Sequence, residues 1–340
     1  MLPNNLPNKL GTCCQILDAN GKQYKDTVIG TVQQTTLDKL LHGASLKDDA
    51  KTRSELLCVN LTGVKKCRDK VLTKVKQNLA ALLAQLKHVS RMPEDCRMFR
   101  IPSNLLPMFD HPQYSMLYDD KLKTLVEYGL KLCKRVIDDH NIVVSCHPDQ
   151  WNKVCSDKES VRLKTFATLE YHRYFMEQLT TYDKSCINVH CDGALDHTPE
   201  FDQGYYSELR KWLSIENDAI NTSAGVIDTL DYCNKYNLKM VYDVHHDLCE
   251  NSGKRHTADD ERIMATIINT WQGQTPIFHV SDSRDPDGDT PKKLNPHSDY
   301  INCPKLVDRV GELLEFAMVD VESKKKNLST LDLRNKLLKL

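Results

Sequence analysis

Several sequence features that identify common classes of protein are absent from this chain. It holds 13 cysteines but no Cys-x-x-Cys pair, which argues against a zinc ribbon or a thioredoxin-type site. No apolar run approaches the about 20 residues that a membrane span needs, and the amino-terminal residues form no apolar signal-peptide core. We therefore expect no membrane partner and an intracellular, reducing compartment, the cytoplasm or the nucleus, with the cysteines as free thiols.

An excess of charge of either sign is also absent, because 46 Lys and Arg residues stand against 47 Asp and Glu residues. The net charge of −1 neither requires nor excludes a nucleic-acid partner. If DNA binds, the basic residues must be concentrated on one face. The hydrophobic fraction of 40% is typical of a globular protein, and 340 residues suffice for one large α/β barrel or two ordinary domains.

Patterns typical of strands and of helices alternate along most of the chain. This alternation indicates a parallel sheet, and eight units in 340 residues predict a (β/α)8 TIM barrel, a single domain over residues 9–340. A doubly wound open sheet is the alternative, but no Gly-rich phosphate-binding turn follows the first predicted strand. The predicted strands are 9–15, 96–102, 141–148, 186–193, 213–218, 238–242, 276–283 and 316–324, with helices at 68–89, 119–140, 157–181, 200–212, 224–236, 258–270 and 304–315.

Three segments fall outside this alternation. Residues 1–8 are expected to be a disordered lead-in, and residues 18–66 a long loop or insertion with only a weak helical pattern at 36–42. Ser329 or Thr330 is expected to cap a final helix.

Six of the predicted strands carry His, Asp or Glu at or near their carboxyl ends. In a barrel these ends meet on the face where active sites lie. A single histidine of this kind is more often structural, but six strands with the same feature predict a shared site. Four imidazoles and three carboxylates are typical of a cluster of divalent ions, such as Mn²⁺, Zn²⁺ or Fe²⁺, bridged by shared carboxylates. The residues are His147, His190, Glu216, Asp243 with His246, His279 and Glu322.

Loops beside these strand ends carry residues that suit DNA. The pair Gln150-Trp151 follows His147, and such a pair can stack on bases or wedge between them, or it can simply pack the loop. Basic residues near the same ends suit phosphate contacts, although a lysine run is commonly only a solvated surface. These basic residues are Arg100, Arg284, Lys292, Lys293, Lys324, Lys325 and Lys326.

Together these segments resemble the UV-damage endonuclease family, whose barrel is similar to that of abasic-site endonucleases with three metal ions. The resemblance runs from residue 9 to about residue 326, and the order and spacing of its short pieces are specific. The pieces are Leu10-Gly11, Phe99-Arg-Ile101, Asp110-His-Pro112, His147-Pro-Asp-Gln150, Val189-His190, Ile215-Glu-Asn-Asp218, Asp243-Val-His-His246, Phe278-His-Val-Ser281, His297 and Val321-Glu-Ser-Lys324.

The resemblance implies a metal-dependent DNA repair endonuclease that nicks double-stranded DNA 5′ to UV photoproducts, with abasic sites as a further substrate. We expect Mn²⁺, with Zn²⁺ or Mg²⁺ as alternatives, and a monomer. Catalytic roles are assigned to Glu216, Glu322 and Lys324. DNA contacts are assigned to Arg100, Gln150, Trp151, Arg284, Lys324 and Lys326. The implied ligands are His147, His190 and Glu216 for one ion, Glu216, Asp243, His279 and Glu322 for a second, and a third position near His246 and His297, with His111 close by.

Two positions depart from the family pattern. The family often has a Lys two residues before the His of strand seven, carbamylated in some members, and this chain has Ile277 there. We therefore expect two firmly held ions and a weak third, unless Asp247 or Asp282 supplies a carboxylate. The family often has Tyr in strand one, where Thr12 removes part of the lesion-probing wedge, and residues 18–66 have no counterpart in the resemblance.

Two other functions are compatible with parts of this pattern. A metal-dependent sugar isomerase of the TIM-barrel type places the same residue types at its strand ends, but it needs neither the Lys clusters nor Gln150-Trp151. A barrel that binds damaged DNA without cutting it would not need a nearly complete set of metal ligands.

Overall fold

A ring of parallel strands forms the centre of the computed structural model, which describes residues 6–43, 50–190, 206–218, 224–253 and 256–340. The strands are β1 (Leu10–Cys13), β2 (Met98–Ile101), β3 (Val143–Cys146), β4 (Ile187–His190), β5 (Leu213–Glu216), β6 (Lys239–Val241), β7 (Ile277–Val280) and β8 (Met318–Val321). The helices are α1 (Gln34–His42), α2 (Ala50–Val59), α3 (Leu61–Val89), α4 (Asp120–Asp139), α5 (Glu159–Met176), α6 (Tyr206–Trp212), α7 (Val226–Tyr236), α8 (Val244–Glu250), α9 (Glu261–Asn269), α10 (Pro291–Leu294), α11 (Pro304–Leu313) and α12 (Lys326–Leu337).

The strand order confirms the predicted TIM barrel. Hydrogen-bonded neighbours follow the order β6-β5-β4-β3-β2-β1-β8-β7. A parallel bridge between Asp243 and His279 joins the two ends of this order, with the His279 N–H donating to the Tyr242 carbonyl at 3.0 Å. The ring is therefore closed at the seam between β6 and β7 by two residues of the predicted metal site.

The barrel is filled with apolar side chains at its amino-terminal end. Met98, Ile277 and Met318 are the first residues of β2, β7 and β8, and they pack with Val241 and Trp271 in one buried cluster. The larger core lies between the strands and the surrounding helices. These apolar layers leave the carboxyl ends of the strands as the place where polar groups collect.

The helices cover the barrel through apolar stripes at helical spacing. The stripe of α4 consists of Leu122, Val126, Leu130, Cys133 and Ile137, all of them buried. The carboxylate of the residue before this helix accepts the backbone N–H of Leu122 at 3.0 Å, which fixes where the helix begins. No helix in the described part of the chain is long and apolar enough to cross a membrane.

The prediction of a loop over residues 18–66 is wrong for much of that segment. It contains α1, α2 and the first residues of α3, while residues 44–49 lie outside the described part. A buried ion pair joins α1 to α2, with Arg53 Nε 2.9 Å from Asp38 Oδ1, and the Tyr114 hydroxyl donates to the same oxygen at 2.7 Å. Helix α1 covers the weak helical pattern predicted at 36–42, whereas α2 was not predicted, because a tertiary ion pair leaves no periodic apolar pattern.

The predicted cap of the last helix is also wrong. Helix α12 begins at Lys326, so Ser329 and Thr330 lie inside it, and both are buried. The Thr330 hydroxyl donates to the Gly11 carbonyl at 3.0 Å and lies 2.9 Å from the Thr12 hydroxyl. Thr330 therefore attaches α12 to β1 instead of capping the helix.

The cysteines of the described part form no disulfide. Cys13 and Cys146 are buried within strands as predicted, and buried Cys186 immediately precedes β4. Cys191, for which a strand position was predicted, lies outside the described residues, as do the first residues of the helix predicted at 200–212. Helix α8, directly after β6, was not predicted.

We expect Arg53→Met to lower the free energy of unfolding by about 3 kcal/mol, because it leaves the Asp38 carboxylate buried without its counter-charge. Chemical denaturation would measure this change. Lys51→Met on the same helix is the control, since the Lys51 side chain is 89% exposed, and it should change stability by less than about 0.5 kcal/mol. Equal stability of wild type and Arg53→Met would contradict a folded α1–α2 unit.

Candidate metal centre

Six predicted ligands meet at the carboxyl ends of the strands. His190 and Glu216 are the last residues of β4 and β5, and His279 is the third residue of β7. They fall into two groups in which one potential ligand atom per residue lies within 4.8 Å of the others. The groups are His147, His190 and Glu216, and Glu216, Asp243, His279 and Glu322.

Glu216 belongs to both groups and is almost completely buried. Its Oε2 lies 3.1 Å from His147 Nε2 and 3.1 Å from His279 Nδ1, and the Asn188 side-chain amide donates to the same oxygen. Burial alone would raise the pKa of Glu216, but the imidazoles of His279 and His190 hold the pKa well below its ordinary value. Glu216 is therefore an ionised carboxylate between two sets of imidazoles.

Two atoms in these groups are buried and have no hydrogen-bond partner among the described residues, Nδ1 of His190 and Oδ2 of Asp243. Native proteins rarely leave buried polar atoms unpaired unless an ion or water satisfies them. Burial lowers the pKa of His190, which favours the neutral imidazole that a metal ligand must be. The unpaired atoms therefore fit a centre that holds cations.

The charge balance of the site leads to the same conclusion. The carboxylates of Glu216, Asp243, Asp320 and Glu322 lie in or just below the cluster, and the guanidinium in contact with them is that of Arg100. Burial would lower the pKa of His246, yet the carboxylates of Asp243 and Glu216 raise it to about 9. Buried negative charge of this density is stable only when it is paired, and divalent cations would pair it.

The start of α8 fixes Asp243 in place. The Asp243 carboxylate accepts the backbone N–H of His246 at 2.8 Å as the cap of this helix. The Asn217 side chain also makes two hydrogen bonds to the Asp243 backbone, at 2.8 and 3.0 Å. Asp243 therefore links β6 to α8, and its side chain and its backbone are both held by hydrogen bonds.

His246 and His297 do not join either ligand group. His246 Nδ1 lies 3.0 Å from the Asn217 carbonyl, and His297 Nδ1 lies 3.9 Å from Glu322 Oε2. The two rings are 6.4 Å apart, and the ring of His245 is 5.2 Å from that of His297. A third position would thus lie beside three imidazoles, one of which, His245, was not among the predicted ligands, and its nearby carboxylates, Glu216 and Glu322, are shared with the two ligand groups.

The suggestion that Asp247 or Asp282 supplies a carboxylate to this third position is wrong. Asp247 accepts the Tyr242 hydroxyl at 2.8 Å and the backbone N–H of Thr257 at 2.8 Å. Asp282 Oδ2 accepts two backbone N–H groups at 3.0 Å, including that of Cys303 before α11. Both carboxylates are engaged in holding loops.

His111 lies apart from the ligand groups. Its Nδ1 accepts the backbone N–H groups of Gln113 and Tyr114 at 3.2 and 3.3 Å, and its Nε2 lies 3.3 Å from the Gln34 side-chain amide. The imidazole lines a cavity of about 1010 Å³ beside the loop that carries Asp149. The predicted position of His111 close to the third ion is therefore not supported.

The surroundings of Arg100 argue against the predicted DNA contact. Arg100 is 7% exposed, and its guanidinium lies 2.5 Å from Glu322 Oε1 and 2.9 Å from His279 Nε2. A guanidinium enclosed by the ligands in this way has little surface to offer a DNA phosphate.

The other residues predicted to contact DNA are exposed or partly exposed. Gln150 and Trp151 are exposed in a turn that follows His147, and Trp151 is 76% exposed. Arg284 and Lys324 are exposed, and the Lys324 N–H donates to the Ser298 carbonyl at 2.9 Å. Lys326 is partly buried at the start of α12, with a φ of 49°.

Comparison with known proteins places these features in one family. The family model described as UV-endonuclease UvdE matches residues 34–340. The chain belongs to the UvdE family. Its relatives include the UV DNA damage endonuclease of Bacillus cereus (strain B4264), 24% identical over 288 residues that cover 79% of this chain and 83% of that protein. The protein of the same name from Bacillus anthracis (strain A0248) is 24% identical over 278 residues, which cover 77% and 81%.

A solved structure agrees with the fold. The crystal structure of SacUVDE aligns with a TM-score of 0.68 and 20% sequence identity, and the alignment covers 98% of this chain and 97% of that one. At this identity the similarity establishes the barrel alone, so the roles of individual residues rest on the geometry of this UvdE-family chain.

Sequence reasoning missed the polar residues one layer below the ligands. Asn188 lies two residues before His190, and Asp320 lies two residues before Glu322. Because side chains two apart in a strand face the same side, this spacing is the signal that could have identified them. Arg100 was recognised as functional, but its burial is not visible in the sequence.

We expect Mn²⁺ to stabilise the wild-type protein but not the Glu216→Gln variant, because both ligand groups depend on the Glu216 carboxylate. An ion that binds only the folded state at 100 times its Kd adds about 2.7 kcal/mol to the free energy of unfolding. Thermal unfolding with Mn²⁺ and with EDTA would measure the difference. Glu312→Gln, with a side chain 67% exposed, is the control and should retain the wild-type response. Full Mn²⁺ stabilisation of Glu216→Gln would refute its shared role.

Proposed function

We propose that this chain is a metal-dependent DNA repair endonuclease that nicks double-stranded DNA 5′ to UV photoproducts. The observation that carries the proposal is Glu216, a buried carboxylate shared by two ligand groups at the active face of a UvdE-family barrel. Membership in an endonuclease family argues against both a sugar isomerase and a barrel that only binds DNA. Abasic sites are proposed as a further substrate.

When bound at these groups, divalent ions would supply an activated water and neutralise charge on the scissile phosphate. Mixed imidazole and carboxylate ligands suit Mn²⁺, with Zn²⁺ or Mg²⁺ as alternatives. The catalytic contributions of Glu216 and Glu322 are to stay ionised and hold their oxygens at fixed positions. Lys324, exposed two residues after Glu322, is proposed to contact a DNA phosphate beside the cut.

Two firmly held ions and a weak third agree with the side chains present. Ile277 is fully buried in the apolar cluster at the amino-terminal end of the barrel, so it offers no oxygen ligand. The carboxylates suggested as replacements are engaged elsewhere, and the carboxylates beside His246 and His297 are Glu216, Asp243 and Glu322, which already belong to the two ligand groups. Divalent ions bound by neutral ligands are held more weakly than those bound by carboxylates.

The turn that carries Gln150 and Trp151 is proposed to probe the damaged base pair. It follows the ligand His147 directly, so a side chain inserted into DNA from this turn is held at a fixed distance from the cut. An exposed indole can stack on unpaired bases. Thr12 is buried and hydrogen-bonded to Thr330, so it adds nothing to this wedge.

Further proposals concern the state of the protein in solution. One chain supplies every residue of both ligand groups, which supports a monomer. The twelve cysteines of the described part, most of them buried, form no disulfide, which supports a reducing intracellular compartment. Contacts with DNA phosphates are proposed for Arg284, Lys324 and Lys326.

A nicking assay on a duplex with one defined photoproduct tests the proposal. We expect a single cut on the 5′ side of the lesion with Mn²⁺, no cut after chelation by EDTA, and no cut in the undamaged duplex. An undiminished rate in EDTA would exclude the metal mechanism, and a cut on the 3′ side would exclude the proposed polarity.

We expect the double substitution Gln150→Ala and Trp151→Ala to slow cutting at a photoproduct by about tenfold or more, because base–aromatic stacking contributes about 1–3 kcal/mol per base. At an abasic site the loss should be below about threefold, since less unstacking is needed there. Single-turnover rates on both substrates would measure this. Tyr128→Ala, an exposed aromatic on α4, is the control. Equal losses on both substrates would mean that the pair only shapes the loop.

A further inference from the structure

A second polar layer lies inside the barrel directly below the candidate ligands. Asp320 of β8 is completely buried, and the strand register pairs it with Gly11 of β1 on one side and with His279 of β7 on the other. Arg100 of β2 is paired in register with Ser145 of β3. Neither Arg100 nor Asp320 belongs to the two ligand groups.

Arg100 connects this layer to the ligands with all three of its guanidinium nitrogens. Nη1 lies 2.5 Å from Glu322 Oε1, Nη2 lies 2.9 Å from His279 Nε2, and Nε lies 3.4 Å from Asp320 Oδ2. A planar fork with donors in fixed directions can engage three groups at once, whereas an ammonium concentrates its charge at one point. Arg100 therefore fixes the carboxylates of Glu322 and Asp320 relative to each other.

Space for the Asp320 carboxylate exists only because strand β1 has no side chain there. A Cβ built on Gly11 would lie 1.9 Å from Asp320 Oδ1. On its other side the Ser145 hydroxyl donates to Asp320 Oδ2 at 3.3 Å. Residues of the neighbouring strands thus accommodate the buried Asp320 carboxylate. Burying a charged group is unfavourable unless the charge is paired or hydrogen-bonded.

His279 is held between the two layers. Its Nδ1 faces Glu216 Oε2 at 3.1 Å and Glu322 Oε1 at 3.3 Å, so Nδ1 is the nitrogen available to a cation. A neutral imidazole with Nδ1 used in this way carries its proton on Nε2. Arg100 Nη2, 2.9 Å from Nε2, can only donate, and Asp320 Oδ2 lies 4.0 Å away, beyond hydrogen-bond distance. The layer therefore acts on this ligand group through Glu322.

We propose that Arg100 and Asp320 are positioning residues that hold Glu322 for one of the two cations. The proposal rests on the proposed metal dependence of the enzyme. Groups that hold a metal-binding carboxylate by hydrogen bonds fix its orientation and strengthen metal binding. Arg100 contacts Glu322, which belongs only to the group of Glu216, Asp243, His279 and Glu322, so the group of His147, His190 and Glu216 is an internal reference within the same molecule.

Calorimetric titration of the metal-free full chain with Mn²⁺ tests the proposal. Arg100→Lys keeps the charge and loses the fork, and Asp320→Asn keeps the shape and loses the charge. We expect each to weaken one of the two Mn²⁺ sites by about 10- to 100-fold and to leave the other site within about threefold. Two sites with wild-type affinity in both variants would overturn the proposal.

A second ion pair provides the matched control. Arg334 Nε lies 2.6 Å from the buried Asp95 carboxylate before β2, at the opposite end of the barrel. Arg334→Lys should lower the melting temperature without metal, as Arg100→Lys does, and leave both Mn²⁺ affinities within about twofold. If Arg334→Lys weakens Mn²⁺ binding as strongly as Arg100→Lys, the effect is a general loss of structure and the proposal fails.

Two further outcomes are distinguishable. If Arg100→Lys does not fold, Ser145→Ala serves in its place, because it removes one hydrogen-bond donor to Asp320. We expect Ser145→Ala to weaken the same Mn²⁺ site by about threefold. Unchanged Mn²⁺ affinity in both Ser145→Ala and Asp320→Asn would overturn the proposal. If the wild-type protein itself binds no Mn²⁺, the metal dependence in the proposed function fails, and the positioning role fails with it.

Discussion

The concentration of buried negative charge at the carboxyl ends of the strands is the constraint on which the rest of this structure depends. Glu216 is enclosed by imidazoles, and the Arg100 guanidinium lies against Glu322 and Asp320. One guanidinium does not balance these carboxylates and Asp243, and atoms of His190 and Asp243 have no hydrogen-bond partner in the described part of the chain. Cations of higher charge would satisfy both the charge and the unpaired atoms.

The same constraint connects the site to the closure of the barrel. Asp243 and His279 form the bridge between β6 and β7, and both belong to the ligand group of Glu216, Asp243, His279 and Glu322. Binding a cation there would strengthen the seam at which the ring of strands closes. Stability of the fold and loading of the site are therefore expected to be coupled, as they are in other proteins whose metal ligands come from separate elements.

Much of the fold and part of the site were predictable from the sequence because their signals are local. Six of the strands are apolar runs with His, Asp or Glu at or near their carboxyl ends, and parallel strands bring those residues, such as His147 and Glu216, to one face. Helix α1 appeared only as a weak pattern at 36–42 and α2 was missed, because a buried ion pair between Arg53 and Asp38 holds them together. A contact of this kind leaves no periodic pattern in the sequence.

Long-range partners also decided the errors within the site. Asp247 and Asp282 have the right residue type near the right strand ends, but their carboxylates hold backbone groups of residues 10 or more positions away. Arg100 is a basic residue near a strand end, as a DNA contact would be, but it is buried like a core residue. Residue type and spacing predict which side chains reach the active face, whereas burial and partners decide what each one does there.

The most direct test of this account is anomalous diffraction from crystals grown with Mn²⁺, combined with elemental analysis of the protein in solution. The account predicts two strong peaks on either side of Glu216, one with His147 and His190 and the other with Asp243, His279 and Glu322, and a weak or absent third near His297. A single ion, ions that do not share Glu216, or a fully occupied third ion without a carboxylate ligand would contradict it.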